Sequence, residues 1–175
     1  MDVLGVELAT TGWRDYKRDG VLAQFLDWTI NGVRLWQHLG FERPLAESTA
    51  IQDGWELEFV LELLEGLDGS GGPLHDGRTP ILVCQICGDL EDGVLSASVV
   101  RDGKRIVWSQ FGWETPSLER HDPLPTSISF TFDADDYLAT LTRLREWTEC
   151  HARTTQTRFR CSQTPDRTVD LSTWK

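Results

Sequence analysis

The residues most able to do chemistry are the four cysteines, Cys84, Cys87, Cys150 and Cys161. Cys84-Gln85-Ile86-Cys87-Gly88 has the spacing of a zinc knuckle, in which two thiolates hold one metal and the following Gly lets backbone N–H groups turn toward sulfur. A structural site needs a second pair. Cys161 with Cys150 or His151 would supply it only if the end of the chain folds back, and Cys-x10-Cys is a poor ligand spacing. The competing reading is a pair of small buried thiols in a strand. Redox use of the pair is disfavoured, because the adjacent Asp89, Glu91 and Asp92 would raise a thiol's pKa rather than lower it. A structural disulfide does not suit a chain read as cytoplasmic.

Carboxylates gather at Asp89, Glu91 and Asp92 and again at Asp133, Asp135 and Asp136. Neither group has the alternating ligands and distant bidentate Glu of a calcium loop, so the first reads as a polar turn and the second as a helix start. No phosphate-binding Gly loop is present. His38, His75, His121 and His151 are scattered without an i,i+4 pair. Asp68-Gly69-Ser70-Gly71-Gly72-Pro73 superficially resembles a serine-protease nucleophile loop, but the chain is too short for that family's paired barrels, and the segment reads as a flexible loop.

The elements that must carry these residues follow from periodicity. Alternation predicts a strand over 3–9 and a hairpin over 24–38 about Asn31-Gly32, a pair suited to a type I′ turn. Residues 39–52 read as irregular. Asp53 and Glu56 have a capping-box spacing, and Leu57, Val60, Leu61, Leu64 and Leu67 recur at helical intervals, which predicts a helix over 54–65; the alternation of Trp55, Leu57 and Phe59 keeps a strand as the alternative. Strands are expected at 81–86, 94–101, 104–111 and 127–132, with Asp102-Gly103 as a tight turn. In the third of these strands, Ile106 and Trp108 on one side and Val107, Phe111 and Trp113 on the other predict two apolar faces. Asp133 caps a helix over 134–150, and a last strand is expected at 157–161. The fold class is α+β: a mainly antiparallel twisted sheet of about six to seven strands with two helices packed on it, in a single domain spanning 1–175.

The chain has 175 residues and a formal charge of −11, with 39% hydrophobic residues and eight Trp. Such an aromatic-rich composition argues against a disordered acidic tail. No apolar run is long enough to cross a bilayer, and no signal peptide is evident at Met1-Asp2-Val3-Leu4-Gly5. A cytoplasmic protein without membrane or nucleic-acid partners is therefore expected, since phosphate binding needs clustered cations. Charge is uneven: residues 150–175 hold 5 basic and 2 acidic side chains, so an acidic body ends in a basic tail.

Gly77-Arg78-Thr79-Pro80, Cys84-Gln85-Ile86-Cys87-Gly88-Asp89 and Val107-Trp108-Ser109-Gln110-Phe111-Gly112-Trp113-Glu114 together resemble a group of small uncharacterised bacterial proteins. Their recurring pattern is Gly-Arg-x-Pro, Cys-x-x-Cys-Gly-Asp, a hairpin, and Val-x-Trp-x-x-Phe-Gly-x-Glu. The likeness spans about residues 24–145 and implies the same strand order, but no activity. Members often carry a third Cys after Cys-Gly-Asp, where this chain has Glu91-Asp92-Gly93, so a metal site common to the group would be incomplete here.

An acidic, Trp-rich domain without a catalytic motif points to a stoichiometric, non-enzymatic protein-binding role, as in an immunity protein or antitoxin that occludes a basic toxin. Glu56, Glu58, Glu62 and Glu65, with Asp89, Glu91 and Asp92, are the acids expected to meet such a partner. Among the Trp residues, Trp113 is the expected anchor, and the exposure of Trp113, Trp147 and Trp174 distinguishes a core from a binding face. The alternatives are a zinc-stabilised structural module on Cys84 and Cys87, and an enzyme with dispersed catalytic residues.

Overall fold

The computed structural model describes residues 1–11, 23–41, 47–49, 51–52, 56–84, 88–118, 120–125 and 127–151. Cys87, Cys161, Asp53, Trp174, the basic tail beyond 151 and the strand expected at 157–161 lie outside the described residues.

The fold is α+β, with antiparallel strands divided between two sheets rather than gathered in one. In the first sheet β1 (Leu4–Thr11) runs against β2 (Ala23–Ile30), from Leu4 opposite Ile30 to Thr11 opposite Ala23. The chain then reverses at Asn31 and Gly32, whose φ values of 55° and 77° are those of a type I′ turn. β3 (Val33–Arg34) is short, because from Leu35 the chain winds into a helical turn, α1 (Leu35–His38), instead of continuing the expected strand. Part of the expected irregular segment is extended. β4 (Glu47–Thr49) pairs with the second sheet, and β5 (Ile51–Gln52) pairs with β2.

The second sheet has the order β10-β8-β7-β6-β4, with β9 also on β8. Its strands are β6 (Thr79–Cys84), β7 (Val94–Asp102), β8 (Arg105–Thr115), β9 (Arg120–Pro123) and β10 (Phe130–Asp133). Asp102 pairs with Arg105, so the turn falls on Gly103 and Lys104, one residue later than expected, and of these two only Gly103 has a positive φ, as a type II′ turn requires.

α2 (Leu57–Glu65) begins three residues later than expected: Glu56 is the extended N-cap residue, and its side chain makes no capping bond. Val60, Leu63 and Leu64 are its buried positions, so Leu63 replaces Leu57 and Leu61, which are half-buried, in the predicted stripe. The Gly-rich connection that follows is packed rather than flexible. Leu67 is fully buried, and a Cβ on Gly69 would lie 2.8 Å from the Arg101 backbone N. Gly72 is still tighter against the Arg78 carbonyl, which only an absent side chain allows.

α3 (Ala134–His151) starts where expected, with Asp133 Oδ1 accepting from the Asp135 and Asp136 N–H groups at 3.0 and 3.3 Å. It packs on β1, β8, β10 and α2. The core joins both sheets to both long helices. Trp28 and Trp108 meet edge to face at 5.9 Å, and both are fully buried. Their indole N–H groups are satisfied: Trp28 donates to the Ile81 carbonyl at 2.9 Å and Trp108 to the Tyr137 hydroxyl at 3.0 Å, which in turn donates to the Leu67 carbonyl at 2.8 Å.

No helix among the described residues is long and apolar enough to cross a membrane.

Candidate functional site

β8 does not present two apolar faces. Register passes from Ser96 opposite Gly112 to Ser98 opposite Ser109, so Ala97 of β7 faces both Gln110 and Phe111. This bulge inserts one residue and shifts the alternation. Directly opposed residues share a face, which places Ile106 with Phe132, Trp108 with Phe130 and Val99, and Trp113 with Leu95. Phe111 joins them, its ring 5.9 Å from that of Phe130. The other face keeps Val107, opposite Val100, and receives Ser96, Ser98, Ser109, Gly112 and Glu114, the last opposite Val94.

That second face holds a buried polar network. Arg78, just ahead of β6, is 8% exposed and reaches across β7 to β8. Its Nε lies 3.3 Å from Glu114 Oε1 and donates to Ser96 Oγ at 3.1 Å, while Nη2 donates to the Gln110 carbonyl. The Ser96 hydroxyl in turn donates a hydrogen bond to the Gly112 carbonyl at 3.2 Å. Gln110 has a φ of 53°, a left-handed conformation costly for a residue with a Cβ. The bulge thus turns a carbonyl onto the guanidinium.

His121 lies directly opposite Glu114 on β9. Its ring lies so close to Gly112 that a Cβ there would overlap Nε2. Burial, and then the Arg78 guanidinium, hold its imidazole below the usual histidine range, so it is neutral at pH 7. Burial also lowers Arg78, against the opposing pull of Glu114. Glu114 Oε2 and His121 Nε2 are both buried and have no hydrogen-bond partner among the described residues. Sequence reading overlooked these residues. Arg78 and Glu114 stood inside the Gly-Arg-x-Pro and Phe-Gly-x-Glu segments, but only the fold makes them neighbours.

A second buried carboxylate, Asp27 on β2, is set differently. Its side chain is 2% exposed and lies 3.8 Å from Arg34 Nε, and among the described residues neither oxygen has a hydrogen-bond partner. Arg34 instead donates to Glu7, from Nε at 3.2 Å and Nη2 at 3.1 Å. Burial pushes the Asp27 carboxyl up to about 6, against the pull of Arg34.

The acids expected to meet a partner rest on two different supports. Glu56, Glu58, Glu62 and Glu65 are all exposed on α2 or at its start, and α2 packs on α3 and the 66–70 turn. Asp89, Glu91 and Asp92 form an exposed turn packed on β6 and β8. Asp89 accepts from the Glu91 N–H at 2.9 Å, and Glu91 Oε2 from the Ser117 N–H at 3.2 Å. Trp113 is half-buried with Phe41 against its ring at 6.5 Å, and Trp147 is buried. Cys84 is a half-buried free thiol at the end of β6. Among the described residues no three His, Cys, Asp or Glu side chains gather as a metal site would require.

Compared with family models, curated proteins and solved structures, the chain matches none.

Proposed function

We propose that the chain is a non-enzymatic protein-binding domain that captures a basic partner on the outer face of α2, as an immunity protein or antitoxin would occlude a basic toxin. The observation that supports this reading is the placement of the α2 acids against local helix electrostatics. Glu58 and Glu62 stand at i,i+4 and Glu62 and Glu65 at i,i+3, and each like-charged pair costs about 0.2–0.5 kcal/mol. The last turn holds no basic residue, so Glu62 and Glu65 meet the negative end of the helix dipole uncompensated. None of the four takes part in an ion pair among the described residues.

An external cation would relieve all of these costs at once. Long-range attraction to such a face speeds encounter and fades with salt. Because Asp89 and Glu91 are already engaged, they and Asp92 supply field rather than direct pairing, and Trp113 supplies an apolar anchor. The test is isolation of the tagged chain from its native host at low and high salt. A stoichiometric basic protein retained at low salt and shed at high salt is the expected result. Recovery of no such partner would overturn the reading.

A further inference from the structure

The Arg78–Glu114 network lines a cleft of about 830 Å3 on the second face of the larger sheet, walled by Leu124, Ile128 and Ser129 of the β9–β10 connection and by His75. Glu114 is an unusual lining group: its side chain is 5% exposed, yet Oε2 has no hydrogen-bond partner among the described residues. A buried acceptor left unmatched is costly and calls for a donor. His121 Nε2 beside it is unmatched too. The bulge and the left-handed Gln110 hold Arg78 in place, so the geometry is maintained at a backbone cost.

The charges define what fits. Asp76 at the rim of the cleft is exposed and lies 3.1 Å from His75, while at the buried end Arg78 and Glu114 neutralise one another, so an ion moving in from the rim would lose its hydration without finding a free counter-charge there. A neutral donor would be accepted by Glu114 Oε2 at no such cost. We propose that this cleft binds a small uncharged ligand through a hydroxyl or amide N–H donated to Glu114 Oε2, with a neighbouring polar group of the ligand meeting His121 Nε2. Ser98 and Ser109 add hydroxyls on the sheet side, and Leu124 and Ile128 add apolar surface, the mixture usual in small-molecule sites. This site is independent of the acidic face of α2.

The experiment follows the His121 imidazole signals of the full chain by NMR while single probes are added. Myo-inositol represents a hydroxyl source and acetamide an amide source; acetate and methylammonium are the charged controls. A saturable shift of His121 with at least one neutral probe is expected, weakened by about tenfold in Glu114→Gln. Ser129→Trp places a bulky side chain on an exposed loop position at the wall and leaves the buried pair intact, and it should abolish the shift. Which neutral probe binds decides between the two sources. No saturable shift with either neutral probe, unchanged binding in Ser129→Trp, or preference for a charged control would overturn the proposal.

Discussion

Glu114 and Asp27 are both buried carboxylates facing an arginine, yet their partners serve them differently. Arg78 is itself buried, and its fork is shared among Glu114, Ser96 and the Gln110 carbonyl, so the ion pair sits inside a hydrogen-bonded frame. Arg34 is partly exposed and gives its two bonds to Glu7 on the surface, which leaves Asp27 an attraction at 3.8 Å and no hydrogen bond. The two cations differ in where their N–H groups go: those of Arg78 stay inside the buried frame around Glu114, while those of Arg34 turn to the surface.

The largest effect should come from breaking the framed pair. Glu114→Ala leaves Arg78 as an uncompensated buried charge and should cost about 3–5 kcal/mol in urea denaturation. Combining Arg78→Met with Glu114→Leu should recover much of that loss, since no lone charge then remains. A double variant no more stable than the single one would mean that the network matters for shape rather than charge.

The next effect concerns Asp27. Its folded-state pKa of about 6 lies above the ordinary 3.8, so the folded state holds the proton more tightly and stability is lost as pH rises between those values. Asp27→Asn mimics the protonated form. Its advantage over the natural chain should be absent below about pH 4 and reach about 3 kcal/mol above pH 7 in paired denaturation curves, the difference of roughly two pKa units. A constant difference across pH would contradict the assignment.

The smallest effect sharpens the contrast directly. Glu7→Gln removes the surface competitor for Arg34 and should let the guanidinium turn toward Asp27. Carbon NMR titration should then find the Asp27 carboxyl below 6, with a stability change at pH 7 of under about 1 kcal/mol. An unchanged Asp27 titration would show that burial alone sets its state.

Local features were readable in the sequence, and non-local ones were not. Asn31-Gly32 and the Asp133 cap act within a few residues, so turn and helix start were foreseen. The start of α2 was misplaced because Glu56, rather than Asp53, is the N-cap residue. β9 is a short polar segment that is extended only by pairing with β8, and no pattern in Arg120–Pro123 announces it. The bulge at Gln110 mattered most for the cleft. Without it, strict alternation divides Trp108 from Phe111 and Trp113 and hides the polar face where Arg78, Glu114 and His121 meet. The exposed acids of α2 could be named from sequence, because charge at helical spacing is local, whereas their lack of ion partners among the described residues needed the fold.

The acidic face of α2 is tested most directly by Glu58→Lys, Glu62→Lys and Glu65→Lys combined. Thermal unfolding should place the variant within a few degrees of the natural chain, because lysines at the last two positions suit the helix dipole. Recovery of the basic partner from the native host at low salt, compared side by side, should be lost in this variant. A folded triple variant that still retains the partner in stoichiometric amount would contradict the account.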